Sequence, residues 1–269
     1  MRATAAIARR PGPLGLVIRE TRYQQLLFWR NRSGALFSVV FSSVFLILLS
    51  ATNTGRIASL HHIKYAQYYT PGFMAYGVMS ACFNNLAIST VVRRESGLLK
   101  RLHLSPLPGW ALIAALVLNA TLVSLTGAVL LVVIGTAGFG VTLSVAAILP
   151  LLVAVIVGSL AFSALGLAVS TVVPNEEAAG PGISVVFFLL LFLSGLWFPL
   201  TPGSALARVS DYLPVRRMIL AATQPFIGHG TSPWGWDDLL VVAIWGVAAT
   251  YVAVRRFRWS RWKDDHPGR

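Results

Sequence analysis

Two short polar segments carry the residue types that could form a docking surface for another protein. The first, Arg93–Leu102, combines basic, acidic, glycine and leucine positions between long apolar runs, and the second, Asn175-Glu176-Glu177, interrupts another apolar stretch. If the first segment is helical, i, i+3 and i+4 spacing places Glu95, Leu98, Leu99 and Leu102 on one face. This pattern is typical of a contact for a partner. The alternative, in which its basic residues only set membrane topology, stays open.

The second segment has a simpler interpretation beside docking. Asn175 is a good helix N-cap, because its side-chain oxygen can accept a hydrogen bond from a free backbone N–H. Glu176 and Glu177 would then lie in the first turn, where the helix dipole favours negative charge. The capping role is the favoured interpretation, and contact with a partner is the alternative.

A third set of polar residues lies inside the apolar runs and is a candidate substrate path. Unpaired polar groups are costly in lipid, so these side chains should face protein or a cavity. Hydrogen bonding between helices is the favoured role, and contact with the substrate is the alternative. The candidates for the path are Asn84, Asn85, Asn119 and Ser194.

The sequence lacks the residues that nucleotide hydrolysis, ion coupling and intramembrane proteolysis require. The only lysines are Lys64, Lys100 and Lys263, and none follows a glycine as a phosphate-binding P-loop requires. Apart from Asp238, the first residue of the sixth, the predicted spans carry no Asp, Glu, His, Lys or Arg for ion coupling, and no His-Glu-x-x-His motif is present. An intramembrane serine protease centred on Ser194 would need a glycine where Phe192 stands. We therefore expect a chain that is not an enzyme and has no catalytic or metal-ligating residues. Any uphill movement must be powered by a partner.

The elements that position these residues are membrane helices. Of the 269 residues, 56% are hydrophobic and 12% are charged, against about 25% charged in soluble domains. Runs of about 20 apolar residues span a bilayer as helices. The glycine-rich stretch 135–140 divides the longest run. The predicted fold is an all-α integral membrane protein with six spans at about 34–51, 70–92, 110–134, 143–171, 180–198 and 238–254.

The distribution of Lys and Arg predicts the orientation. Segments 1–33, 93–109 and 255–269 hold 7, 4 and 6 of these residues, whereas 52–69 and 199–237 hold 2 and 3. Because basic residues favour the cytoplasmic side, both termini and the 93–109 loop are predicted to be cytoplasmic. The whole chain, 1–269, is treated as one transmembrane domain: a cytoplasmic or interfacial segment 1–33, a body 34–254 and a basic tail 255–269.

Two segments outside the spans have structural expectations of their own. Leu14–Arg32 fits an interfacial helix with Arg19, Arg22 and Arg30 on one side. The segment 199–237 is too apolar for a hydrated loop. It either dips back into the outer leaflet as short helices or forms a small surface cap.

The motifs and the six-span plan together resemble the permeases of ABC type-2 exporters, a bacterial drug and lipid exporter family. The match after the second span consists of Arg94-Glu95, Gly97-Leu98, Arg101-Leu102 and Ser105-Pro106-Leu107. The match around the fifth span and before the sixth consists of Pro174-Asn175-Glu176-Glu177-Ala178, Leu193-Ser194-Gly195, Phe198-Pro199 and Leu213-Pro214. One departure is that Leu99 and Lys100 stand where the family often has Thr-x-x-Arg.

The resemblance implies a function that the residues alone do not. A permease of this type pairs with a second copy or a related chain and contacts a separate cytoplasmic ATPase, which binds ATP and Mg²⁺; this chain itself needs no cofactor. The implied coupling residues are Arg93, Arg94, Glu95, Gly97, Leu98, Lys100, Arg101, Leu102, Asn175, Glu176 and Glu177.

The implied setting is a multi-pass protein of a bacterial plasma membrane, in contact with lipids and not with nucleic acid. The expected role is export of a lipophilic or amphipathic drug-like compound, an efflux activity of the kind that confers antibiotic resistance. The alternative is export of a lipid or polysaccharide carrier, followed by a non-ABC intramembrane enzyme or carrier.

Overall fold

The computed structural model describes residues 12–30, 39–53, 55–57, 63–99, 108–197, 203–227 and 233–257. Within these ranges the structure is almost entirely helical. The helices are α1 Pro13–Arg30, α2 Phe41–Thr52, α3 Tyr65–Met79, α4 Leu86–Glu95, α5 Gly109–Phe139, α6 Val145–Ser170, α7 Glu176–Leu193, α8 Ala205–Ser210, α9 Pro214–Ile227 and α10 Trp236–Arg256. Two short antiparallel strands, β1 Arg56–Ile57 and β2 Ile63–Lys64, pair Arg56 with Lys64.

Among the residues that the structure describes, five helical segments are long and apolar enough to cross a membrane. They are Tyr65–Glu95, Gly109–Phe139, Val145–Ser170, Glu176–Leu193 and Trp236–Arg256. The shorter apolar helix α2 lies within the predicted first span, whose residues 34–38 fall outside the described part of the chain. The prediction of an all-α integral membrane fold is confirmed.

Several helix boundaries differ from the predicted spans, and two of the differences have a clear local cause. Helix α5 continues through Gly135 and Gly138 to Phe139, and it ends only where Gly140 adopts a left-handed conformation (φ 61°). Glycine inside a long apolar helix does not break it when each backbone N–H is bonded within the helix. Helix α7 starts at Glu176, four residues before the predicted fifth span, because Asn175 caps it.

Helices α3 and α4 form one continuous 31-residue helix through a π-helical turn at Ser80–Asn85. Side chains on all sides of α3 are buried, because α2, α5, α6 and α9 surround it. The π turn packs directly on α6: a Cβ at Gly166 would lie 2.8 Å from the Phe83 carbonyl oxygen. Only glycine permits this close approach of two backbones.

The segment between α7 and α10 enters the bundle as a hairpin. Helix α9 packs against α3, α6 and α10. Met218 of α9 faces Gly158, near the middle of the 26-residue α6. In the turn before α9, the Tyr212 carbonyl accepts a hydrogen bond from the Trp245 indole (2.9 Å), near the middle of α10. The geometry therefore supports the re-entrant interpretation of this segment over a surface cap.

Helix α1 packs along α5 through one narrow stripe of side chains. Val17, Thr21, Gln24 and Phe28 are buried, whereas the large apolar side chains of Leu14, Ile18 and Leu26 are exposed. Arg19, Arg22 and Arg30 are also exposed, as the sequence predicts for an interfacial helix.

Candidate functional site

The first candidate segment begins where α4 ends. The Ser96 N–H donates to the Val92 carbonyl (2.9 Å) and the Gly97 N–H to the Arg94 carbonyl (3.0 Å). Gly97 is buried and adopts a left-handed conformation (φ 72°), which terminates the helix. The predicted single helical face from Glu95 to Leu102 is therefore interrupted at Gly97. Leu98 is exposed while Leu99 is buried.

Arg94 is buried. A residue that docks directly on a partner would instead be exposed. Its Nη1 donates to the Ser170 carbonyl (3.0 Å) at the end of α6, and its Nη2 donates to the Val173 carbonyl (2.5 Å). A longer contact joins Nη2 to the Pro174 carbonyl (3.4 Å), and Nε is paired with Glu95 (2.9 Å). The guanidinium thus satisfies the last carbonyl of α6 and two carbonyls of the loop that follows it.

Arg93 points to a different neighbour. Its Nη2 donates to the Gln24 Oε1 of α1 (2.7 Å), and the Gln24 Nε2 donates to Glu20 (2.6 Å). The adjacent arginines therefore fasten the end of α4 to two different elements, α1 on one side and the α6–α7 loop on the other.

The second candidate segment lies directly beside the first, because Arg94 bonds the loop that precedes it. The Asn175 Oδ1 accepts a hydrogen bond from the Ala178 N–H (2.8 Å), so the capping interpretation is confirmed. Glu176 and Glu177 occupy the first turn of α7 and are exposed.

These contacts bring the two predicted segments together at one end of the bundle. Around the buried Arg94 lies an exposed set of side chains that we name the junction surface: Leu98, Val172, Asn175, Glu176 and Glu177. It combines apolar and acidic groups on a well-anchored backbone, an arrangement suited to docking. The predicted residues Lys100, Arg101 and Leu102 lie outside the described residues.

The four residues predicted for a substrate path do not form one group. Asn85 and Asn119 line a cavity of about 130 Å³ between α1, α4 and α5, together with Gln24, Ser89 and Arg93. Asn84 is not among its lining residues, and its Oδ1 is buried without a hydrogen-bond partner. Ser194 is fully buried; its hydroxyl donates to the Leu191 carbonyl (2.5 Å) and accepts from the Leu196 N–H (3.2 Å), so it caps the end of α7.

Two polar groups that the sequence reasoning overlooked lie within the bundle. Gln25 donates to the Asn119 carbonyl (3.1 Å) and holds α1 on α5. The stripe of buried side chains on α1 was the signal that could have identified the face of α1 that contacts α5. At the re-entrant hairpin, Arg217 pairs with Asp238 (2.8 Å) and Arg216 with Asp211 (2.8 Å). In the described ranges, no three His, Cys, Asp or Glu side chains lie together as metal ligands would.

Comparison with known proteins assigns this architecture to a family. The family model of the ABC-2 type transporter matches residues 17–226, which include both candidate segments and α9 up to Phe226. No curated protein compared with the chain matches it.

Proposed function

The chain belongs to the ABC-2 type transporter family, and from this premise we propose that it is the permease subunit of an ATP-driven exporter for a lipophilic or amphipathic compound. As a family member it is a multi-pass membrane permease of an ABC transporter, and the family implies an ABC ATPase subunit as its partner. The direction of transport, the substrate class and the coupling residues are our proposal.

The observation that carries the proposal is the convergence of two distant segments on Arg94. Its guanidinium bonds carbonyls that lie 76 to 80 positions further along the chain. A push on the junction surface would therefore reach α4, α6 and α7 together. A partner that binds ATP in the cytoplasm needs such a linkage to move several spans at once.

The proposed coupling residues divide into two roles. Leu98, Glu176 and Glu177 are exposed and would contact the ATPase, together with Lys100, Arg101 and Leu102, while Asn175 would hold their loop in place as the cap of α7. Arg93, Arg94, Glu95 and Gly97 would transmit the movement, because they are anchored to neighbouring elements.

The proposed substrate class rests on the apolar character of the spans. The Asp238 carboxylate at the start of α10 is bonded to Arg217, which favours a structural role over ion coupling. Asn84, Asn85, Asn119 and Ser194 remain the proposed polar points along a path otherwise suited to apolar groups. A lipid or polysaccharide carrier is the alternative cargo.

The proposed assembly contains two permease subunits, identical or related, in a bacterial plasma membrane. Both termini and the junction surface would be cytoplasmic. A single cysteine introduced at Leu98 should resist a membrane-impermeant maleimide in intact cells, whereas one at Asp237 should react. Cys82 is buried, so it gives little background. Reaction at position 98 alone would reverse the orientation.

Coupling is tested by reversing charge on the junction surface. The double variant Glu176→Lys, Glu177→Lys should lower ATP-dependent uptake of a lipophilic fluorescent dye into inverted vesicles at least tenfold. The matched control is Asp237→Lys, an exposed acidic residue in the first turn of α10 at the opposite end of the bundle. Both changes place a positive charge at a helix N-terminus, so they share that cost to stability. Wild-type uptake by the double variant would contradict the assigned coupling surface.

A further inference from the structure

The cavity beneath α1 is lined by more polar side chains than packing of α1 on the bundle requires. Its polar lining comes from Gln24, Asn85, Ser89, Arg93 and Asn119, and its apolar lining includes Leu27 and Phe28. The volume of about 130 Å³ is far larger than the roughly 10–15 Å³ that one water molecule needs. The cavity therefore has room for a polar group larger than a single water.

Arg93 supplies a positive charge at this cavity. Among the described residues, its guanidinium has Gln24 as hydrogen-bond partner, and that bond uses only Nη2. Gln24 is held in place from its other end by Glu20, so its oxygen stays directed at Arg93. The remaining guanidinium N–H groups are donors that suit phosphate oxygens.

At this cavity, the side-chain oxygen of Asn119 is a hydrogen-bond acceptor that no group of the described residues satisfies. Its side-chain Oδ1 is buried without a hydrogen-bond partner, although buried polar groups are nearly always bonded. Its backbone carbonyl accepts from Gln25, so the residue is fixed where α1 crosses α5. A ligand or ordered water in the cavity would complete the bonding of this amide.

The position of the cavity near the end of a membrane-spanning helix indicates that the phosphate belongs to a lipid. The helix Tyr65–Glu95 has 31 residues, so it is about 46 Å long and exceeds the ~30 Å hydrocarbon core. If this helix is centred in the bilayer, Arg93, two residues from its end, lies at the depth of lipid headgroups. Leu27 lines the cavity and is 39% exposed, which joins the cavity to the exposed apolar side chains of α1.

We propose that the cavity formed by Gln24, Asn85, Arg93 and Asn119 binds the phosphate of an anionic phospholipid in the leaflet where α1 lies. The headgroup phosphate contacts Arg93 and the amides, and an acyl chain runs past Leu27 along α1. This bound lipid fills the space between α1 and the spans. Asn85 and Asn119 are shared with the proposed substrate path, so the test measures lipid retention alone and requires neither ATP nor the ATPase.

The test measures lipid retention by the purified, delipidated full chain with native mass spectrometry. Phosphatidylglycerol should be retained at least tenfold more tightly than phosphatidylcholine, and inorganic phosphate should not displace it. Asn119→Asp places a carboxylate against the phosphate and should weaken retention at least tenfold. Arg93→Gln should do the same, with retention largely restored in Arg93→Lys. Thermal unfolding of each variant identifies any that fail to fold.

The matched control is Arg22→Gln, which removes the same charge from an exposed position of α1. It should retain phosphatidylglycerol within twofold of wild type. Equal retention of the two lipids, or wild-type retention by a folded Asn119→Asp variant, would show that the cavity holds water only. Displacement of the lipid by inorganic phosphate would assign the site to a free anion and overturn the lipid.

Discussion

Charged side chains enter the apolar body at two regions, and the two regions neutralise them differently. At the junction, Arg94 is bonded mainly to main-chain carbonyls, those of Ser170, Val173 and Pro174. At the re-entrant hairpin, Arg217 and Arg216 are bonded to the carboxylates of Asp238 and Asp211, and Arg217 makes one further bond to the Asp211 carbonyl.

The difference determines which region tolerates change. A pair of side chains can be replaced together by apolar residues, since both charges then disappear. Main-chain carbonyls cannot be removed by substitution, so replacing such an arginine together with its acidic partner still leaves those carbonyls without their donor. An arginine bonded to main-chain carbonyls therefore tolerates substitution less well than an arginine in an ion pair.

Arg94→Leu should produce the largest loss of stability. It removes the ion pair between Arg94 and Glu95, whose side chain is 14% exposed, and three carbonyls lose their Arg94 donor. Breaking a buried charged contact in this way costs about 3–5 kcal/mol. The free energy of unfolding in mixed micelles measures it. The control Arg93→Leu loses a single hydrogen bond to Gln24 and should cost about 1 kcal/mol. Equal losses in the two variants would contradict the distinction between neighbouring arginines.

Arg217→Met should cost about 2 kcal/mol, because it removes charged hydrogen bonds to Asp238 and to the Asp211 carbonyl. The double variant Arg217→Met, Asp238→Leu should be more stable than the sum of the single losses predicts, by about 1 kcal/mol in a double-mutant cycle. The corresponding pair Arg94→Leu, Glu95→Leu should recover less, since the carbonyls stay unpaired. If both cycles recover equally, the two regions do not differ as described.

Gly97→Ala tests the backbone that ends α4. A left-handed conformation costs an ordinary L-residue about 1–2 kcal/mol, so unfolding should become easier by that amount. Gly97→Asn should cost less, because asparagine tolerates this conformation better. The comparison is made by the same unfolding measurement. An unchanged stability of Gly97→Ala would mean that the helix end rearranges without strain.

Asn175→Ala should give the smallest effect, a loss of about 1 kcal/mol from the missing cap on the Ala178 N–H. Asn175→Asp should match wild type, because aspartate caps equally well and its charge suits the helix dipole. Because the cap stabilises α7 itself, the loss should appear in unfolding and leave dye uptake by the folded fraction unchanged. Loss of uptake in Asn175→Asp would point to a direct contact with the partner.

The sequence by itself determined the membrane fold and the identity of the two candidate segments. Continuous apolar runs specify membrane helices because an unpaired backbone is costly in lipid, and this reasoning needs no tertiary contact. The capping role of Asn175 was also predictable without tertiary contacts, since capping involves residues only three positions apart. The family match over residues 17–226 agrees with the motif resemblance.

Tertiary structure alone decided which polar residues meet and which are buried. Arg94 and Arg93 are identical neighbours in the sequence, yet one bonds the α6–α7 loop and the other bonds α1. Asn85 and Asn119 share a cavity whereas Asn84 and Ser194 do not line it. Such partners are up to 80 residues apart. Their pairing depends on how helices pack and rotate against each other, and local composition and periodicity carry no information about that geometry.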